Sequence, residues 1–178
     1  FYNFMEKISV KIANKELLVN FWKAKKEDPI GIFFIHHGMA EHIERYHTLA
    51  NHLNFVGFHV VGHNHLGHGD NKENGQGIFA KLNGWEKVCN EATEVMNFFC
   101  NSYPNLPSYV FGHSMGAFVS LSVLKDFKNL EGVVLTGTFL PNKLELSLLK
   151  LIFLIERFIF RINKNSKLHA IIFKKLNS

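Results

Sequence analysis

Short apolar runs alternate with amphipathic stretches from Met5 to about Thr136, and this alternation predicts the order of elements. Ile8, Val10 and Ile12 stand against Ser9 and Lys11, which predicts a strand over residues 5–13. Asn14-Lys15 reads as a turn, and Glu16 to Trp22 as a second strand, the pair forming an antiparallel hairpin. After the charged loop Lys25-Lys26-Glu27-Asp28-Pro29, the run from Ile30 to Ile35 is apolar throughout, as in a strand covered on both faces. Tyr46, Leu49, Ala50 and Leu53 recur at helical spacing and predict a helix from Glu41 to Asn54. Phe58-His59-Val60-Val61 is the next strand, followed by a loop rich in glycine and histidine from Gly62 to Gly77. Asn83-Gly84-Trp85-Glu86 has the form of a capping box and opens a helix running to about Ser102. Pro104 and Pro107 punctuate the link to a strand at Ser108-Tyr109-Val110-Phe111. A helix from Met115 to Phe127 and a buried strand from Gly132 to Thr136 follow. Buried strands alternating with helices imply an α/β architecture, a mostly parallel sheet with helices on both faces.

From Asn142 the alternation stops. Residues 144–162 are dominated by Leu, Ile and Phe, and Lys143, Lys150, Arg157, Arg161 and Lys164 fall in one narrow stripe on a helix. Glu156 and Arg157 interrupt the run, which argues against a membrane span. Two readings stand: a helix buried within its own protein, or a lid or interfacial helix that contacts lipid. The chain has no internal repeat and no low-complexity segment.

Composition narrows the choices. A chain of 178 residues that is 47% hydrophobic suits one globular domain with a sizeable core. The formal net charge is +5, but no Lys/Arg block with interleaved aromatics occurs, so nucleic acid is not an expected partner. Cys89 and Cys100, if on one helix, lie about 16 Å apart along its axis, too far for a disulfide. They read as reduced thiols of a cytoplasmic protein, peripheral at membranes if the C-terminal stripe meets lipid. The chain begins with Phe1, Met5 is a candidate native start, and no basic region followed by an apolar run marks a signal peptide.

The chemistry concentrates at Gly112-His113-Ser114-Met115-Gly116, a G-x-S-x-G pentapeptide between a strand and a helix. That context suits a serine nucleophile held in strained backbone with its hydroxyl above the sheet. The flanking glycines are then required, because side chains there would collide with neighbouring backbone. The other reading is an ordinary glycine-rich turn with an N-capping serine. An oxyanion needs two backbone N–H donors. Met115, opening the helix, offers one, and Met39, after the apolar strand and His37-Gly38, offers the second. His63, His65 and His68 invite a zinc reading, but H-x-H-x-x-H matches no strong metal signature. A glycine-shaped loop whose histidines bond to backbone is the alternative, and no metal site is expected. His47, His52 and His59 read as structural or surface residues.

His37-Gly38-Met39-Ala40-Glu41-His42 with Arg45-Tyr46, then His63 to Gly69, then Gly112 to Gly116, occur in this order. Together they resemble the monoacylglycerol lipase and lysophospholipase group of the α/β-hydrolase superfamily, over roughly residues 5–140. The resemblance implies an α/β-hydrolase core over residues 1–140 and a helical cap over 141–178, covering an acyl pocket. It places the nucleophile on Ser114, the oxyanion amides on Met39 and Met115, and contacts to a polar head on Glu41 and Arg45, with His113 grouped among the substrate-binding residues. It implies hydrolysis of the carboxylic ester of a single-chain lipid through an acyl-enzyme, with no cofactor and a lipid or ester as partner. The alternatives are an esterase for short soluble esters and a catalytically inactive fold used for binding.

The resemblance also exposes a gap. In this fold the triad runs serine, acid, histidine in chain order. After Ser114 the only histidine is His169, in a basic segment, and Asp126, Glu131, Glu145 and Glu156 do not follow buried strands as the acid should. The fold is therefore expected to be incomplete at its C-terminus, the chain being the N-terminal part of a longer hydrolase whose remainder supplies the acid and the histidine.

Overall fold

The computed structural model describes residues 5–12, 15–124, 127 and 130–138. These belong to one compact unit, Phe1–Thr138. The apolar cap segment and its basic stripe, predicted from residue 141 onward, lie outside the described residues.

Six strands form one sheet in the order β1-β2-β4-β3-β5-β6. β1 (Met5–Ile12) and β2 (Lys15–Trp22) make the predicted antiparallel hairpin, and β2 pairs antiparallel with β4 (Phe58–His63). β4, β3 (Gly31–His36), β5 (Ser108–His113) and β6 (Leu130–Thr136) run parallel. The strand after β3 lies to one side of it and the next, β5, lies to the other. The order thus reverses at β3, and a crevice opens where the carboxyl ends of β3 and β5 meet, with His36 opposite Gly112.

The period-two alternation of β3 splits its side chains between two cores. Ile32 and Phe34 enter a cluster with Val110, Val95, Met96, Phe99 and Val119, under α2 (Gly84–Ser102) and α3 (Met115–Leu124). Phe33 and Ile35 enter another with Trp22, Val60, Ala50 and Leu53, under α1 (His47–Val56). Helices thus cover both faces, which is why β3 carries no polar position before His36. Cys89 and Cys100 both lie on α2 and pack as partly buried thiols against the larger cluster. No helix among the described residues is long and apolar enough to cross a membrane.

Three local expectations need correction. The helix predicted from Glu41 begins later: a 3-10 turn covers Ile43–Tyr46 and α1 starts at His47. Ala40 is left-handed (φ 62) and the Glu41 carboxylate folds back onto the Gly38 N–H, so these residues serve the loop instead of a helix. β4 extends through Gly62 and His63, which the sequence assigned to the loop, because both pair with β2. Asn83 does precede α2, but at φ 53 and ψ 38 its side chain makes no cap bond. A capping box requires an extended N-cap, so the reciprocal bonds do not form.

Candidate active site

A single residue, Ser114, separates β5 from α3, and its φ of 51 is the left-handed conformation that so abrupt a reversal demands. The turn is pinned on both sides. Ser114 N–H donates to Thr136 O of β6 at 2.8 Å, and its carbonyl accepts from Ala117 N–H at 3.0 Å. The glycines leave no room for side chains. A Cβ on Gly112 would lie 2.5 Å from Ser120 Oγ and 2.7 Å from Ala117 Cα. A Cβ on Gly116 would lie 1.9 Å from the His36 carbonyl oxygen. The first turn of α3 therefore rests directly on the carboxyl end of β3.

Ser120, buried one turn into α3, joins the same junction. Its hydroxyl donates to Gly116 O at 2.7 Å and lies 3.0 Å from His36 Nδ1, so it accepts the Nδ1 proton of a neutral imidazole. Burial drives His36 down to about 3, with the neighbouring His37 adding to the effect. His113, half-buried, holds its Nδ1 3.0 Å from the Thr136 hydroxyl.

Met115 is the first residue of α3, so its N–H has no carbonyl one turn back to bond to. Across the crevice the loop after β3 presents Met39, 58% exposed, between buried Gly38 and left-handed Ala40. Glu41 is turned into this loop. Its Oε1 accepts from the Gly38 N–H and from the Tyr46 hydroxyl at 2.6 Å, and its Oε2 lies 3.7 Å from Arg45 Nε. Burial and the bond to Glu41 push the Tyr46 hydroxyl well above its usual range. The Arg45 side chain is about half exposed.

Behind the loop stand five buried imidazoles, His36, His37, His63, His65 and His68. Their rings approach within 4.3 Å (His37–His65), 5.2 Å (His63–His65) and 5.3 Å (His37–His68). Two of them bond to backbone across loops. His37 Nε2 accepts from His65 N–H at 2.9 Å, and His68 Nε2 accepts from Ala40 N–H at 3.1 Å. Asn64 Oδ1 accepts from Ile43 N–H at 2.8 Å, tying the same loops again. Burial lowers His37 to about 4 and holds His63 and His65 well below the ordinary imidazole value. No group of three or more His, Cys, Asp and Glu among the described residues is arranged to hold a metal ion. His47 and His59 each accept a hydrogen bond, from the Trp22 indole at 3.1 Å and from Ala24 N–H at 2.9 Å.

The crevice thus gathers Ser114, Met115, Met39, Glu41, Arg45 and His113 from segments far apart in the chain. Ser120 and Asn64 were not singled out in the sequence, and Tyr46 was named without its role of holding Glu41. Ser120 sits where helical spacing gives only a core position, and Asn64 reaches back to the Ile43 N–H on another loop.

A doubly wound sheet that turns through a left-handed serine into a helix at its crevice is the α/β-hydrolase fold. The chain belongs to the Hydrolase_4 family, described as serine aminopeptidase, S33, whose profile matches residues 27–176. It is similar to the monoglyceride lipase homolog of monkeypox virus, 31% identical over 119 residues, which is 67% of this chain and 41% of that protein. Mouse monoglyceride lipase is 28% identical over 117 residues, 66% of this chain and 37% of that one. The chain spans about two fifths of the length of these curated relatives. Among solved structures, a thermostable carboxyl esterase from Bacillus coagulans superposes with a TM-score of 0.69 at 23% identity, covering 88% of this chain and 51% of that one, a likeness of fold.

Proposed function

We propose that the protein is a serine hydrolase that cleaves the carboxylic ester of a single-chain lipid, a monoacylglycerol or a lysophospholipid, through an acyl-enzyme. The observation that carries the reading is the left-handed Ser114 between β5 and α3, at the crevice where the carboxyl ends of β3 and β5 meet. Similarity to monoglyceride lipases supports the ester and the lipid class.

In this mechanism the Ser114 hydroxyl attacks the ester carbonyl. Negative charge gathers on the carbonyl oxygen, and the N–H groups of Met39 and Met115 stabilise it. The proton of Ser114 passes to a histidine oriented by a carboxylate. The histidine hands that proton to the departing alcohol; it then takes a proton from water, which attacks the acyl-enzyme, and returns it to Ser114 as the fatty acid leaves. Arg45 and the outer oxygen of Glu41 meet the polar head, with His113 flanking it.

The test is hydrolysis of a monoacylglycerol, and of nitrophenyl esters of increasing chain length, by the intact protein and its Ser114→Ala variant. The expected outcome is a loss of about 10⁴-fold or more in kcat for the variant. Activity within a few-fold of wild type removes Ser114 from the mechanism. A preference for two- to four-carbon acyl groups replaces the lipid with short soluble esters.

A further inference from the structure

The loop that carries Met39 is held in place by an imidazole from a different loop. His68 receives the Ala40 N–H on Nε2 at 3.1 Å, and its Nδ1 lies 3.2 Å from the Leu66 carbonyl. A donor facing Nε2 and an acceptor facing Nδ1 admit one state of the ring, neutral with its proton on Nδ1. The ring is packed between His37, at 5.3 Å, and Phe79, at 5.9 Å, so it has little freedom to turn away.

The residue it holds is unusual. Ala40 is buried and left-handed at φ 62 without being glycine. Such a conformation costs about 1–3 kcal/mol and persists only where the surroundings over-determine it. Two neighbouring bonds bracket the strained residue: Gly38 N–H to Glu41 before it and Ile43 N–H to Asn64 Oδ1 after it. Neither fixes the peptide plane between Met39 and Ala40. The bond from Ala40 N–H to His68 does, because that N–H belongs to that plane. Fixing this plane and the Gly38 side of the loop sets where the preceding amide, Met39 N–H, points.

We propose that His68 is a positioning residue for ester hydrolysis: its neutral ring locks Ala40 in the left-handed region and so aims the Met39 N–H at the developing oxyanion. The inference rests on the reading of Met39 as an oxyanion donor. His68 itself touches no substrate; it acts through one backbone bond. Burial holds the ring below its ordinary pKa, which keeps Nε2 available as an acceptor, while the Leu66 and His65 carbonyls and the Glu41 charge pull the other way.

Two substitutions separate the two ends of the ring. His68→Gln places an amide oxygen near the position of Nε2 and can still receive the Ala40 N–H. His68→Asn keeps a donor for the Leu66 carbonyl but is too short to reach Ala40. Steady-state ester hydrolysis and amide hydrogen exchange at Ala40 are measured on the intact wild-type protein and on both variants. Full loss of one oxyanion donor costs about 10²–10³-fold in kcat, so a misaimed donor is expected to cost His68→Asn at least about 10-fold, with KM within about twofold. His68→Gln recovers most of that loss. Ala40 exchange accelerates in His68→Asn and stays slow in His68→Gln. Adding Ala40→Gly to His68→Asn restores part of kcat, since glycine takes φ 62 without strain.

Equal losses in the two variants, or a change carried by KM, overturn the positioning role. A wild-type protein that hydrolyses no ester overturns the underlying reading instead, and Ala40 exchange still decides the tie. Protection lost in His68→Asn and kept in His68→Gln supports it, and protection unchanged in both overturns it.

Discussion

Gly116 shows how tightly single residues are fitted around the elbow. A methyl group there would lie 1.9 Å from the His36 carbonyl oxygen, 2.4 Å from its carbon and 2.6 Å from the His37 carbonyl oxygen. All three obstacles are backbone, so no side chain can swing aside. Gly116→Ala must therefore push α3 off β3 or displace the loop that follows it. The expected cost is about 3 kcal/mol, read as a lower midpoint in urea unfolding, with near-UV dichroism reporting the disturbed junction. The glycine in the pentapeptide was legible from the sequence as a steric requirement. Ser120 was not, because its two partners, Gly116 and His36, are defined only once helix and strand touch.

At the scale of elements, hydrophobic period and punctuation predicted every described strand and helix, and the misjudged boundaries share a cause. Apolar spacing extends the helix back to Glu41, but the carboxylate of Glu41 is engaged by the Gly38 N–H and the Tyr46 hydroxyl, contacts that spacing does not encode. Asn83 looks like a helix cap by type, yet its left-handed backbone directs the side chain away from the orphan amides of α2. This mismatch is testable. Asn83→Gly removes no cap bond and relieves a positive φ, so α2 and the protein should gain about 0.5–1 kcal/mol. A loss of stability on thermal or urea unfolding means the Asn83 side chain contributes after all. The hairpin at the sheet's first edge was readable from alternation alone, whereas the reversal of strand order at β3 was not. Strand order depends on which side each crossover falls, and no local pattern records that.

For the whole molecule, the buried imidazoles dominate the response to acid. His36 and His37 have folded pKa values near 3 and 4, and those of His63, His65 and His68 are also depressed. Burial is the leading cause in every case, with the like charge of neighbouring imidazoles adding to it in four of them and Lys15 adding at His63. Glu41 opposes it at His37 and His68. A depressed folded value means that the unfolded chain binds more protons once the pH falls below about 6.5. Each such ring then subtracts up to about 1.4 kcal/mol of stability per pH unit, until the pH reaches its folded value. The set acts together, so the protein should be stable at pH 7 and unfold steeply between pH 6 and 4, with uptake of several protons. Circular dichroism against pH, with the proton count taken from the slope of stability on pH, checks this; a transition confined below pH 3.5 contradicts it. The sequence suggested that histidines of the glycine-rich loop bond to backbone, but not which backbone groups they meet. Ala40 and His68 meet across 28 positions, and a ring's tautomer follows from partners that only the folded chain supplies.

The left-handed backbone at Ser114 also bears on how such a chain drifts over generations. Glycine would occupy φ 51 without strain, so folding alone favours losing the hydroxyl. Only selection for what that hydroxyl does opposes the change. In a lineage where the activity lapsed, this position would be among the first to mutate, and the mutant would spread unhindered because it folds better than its parent.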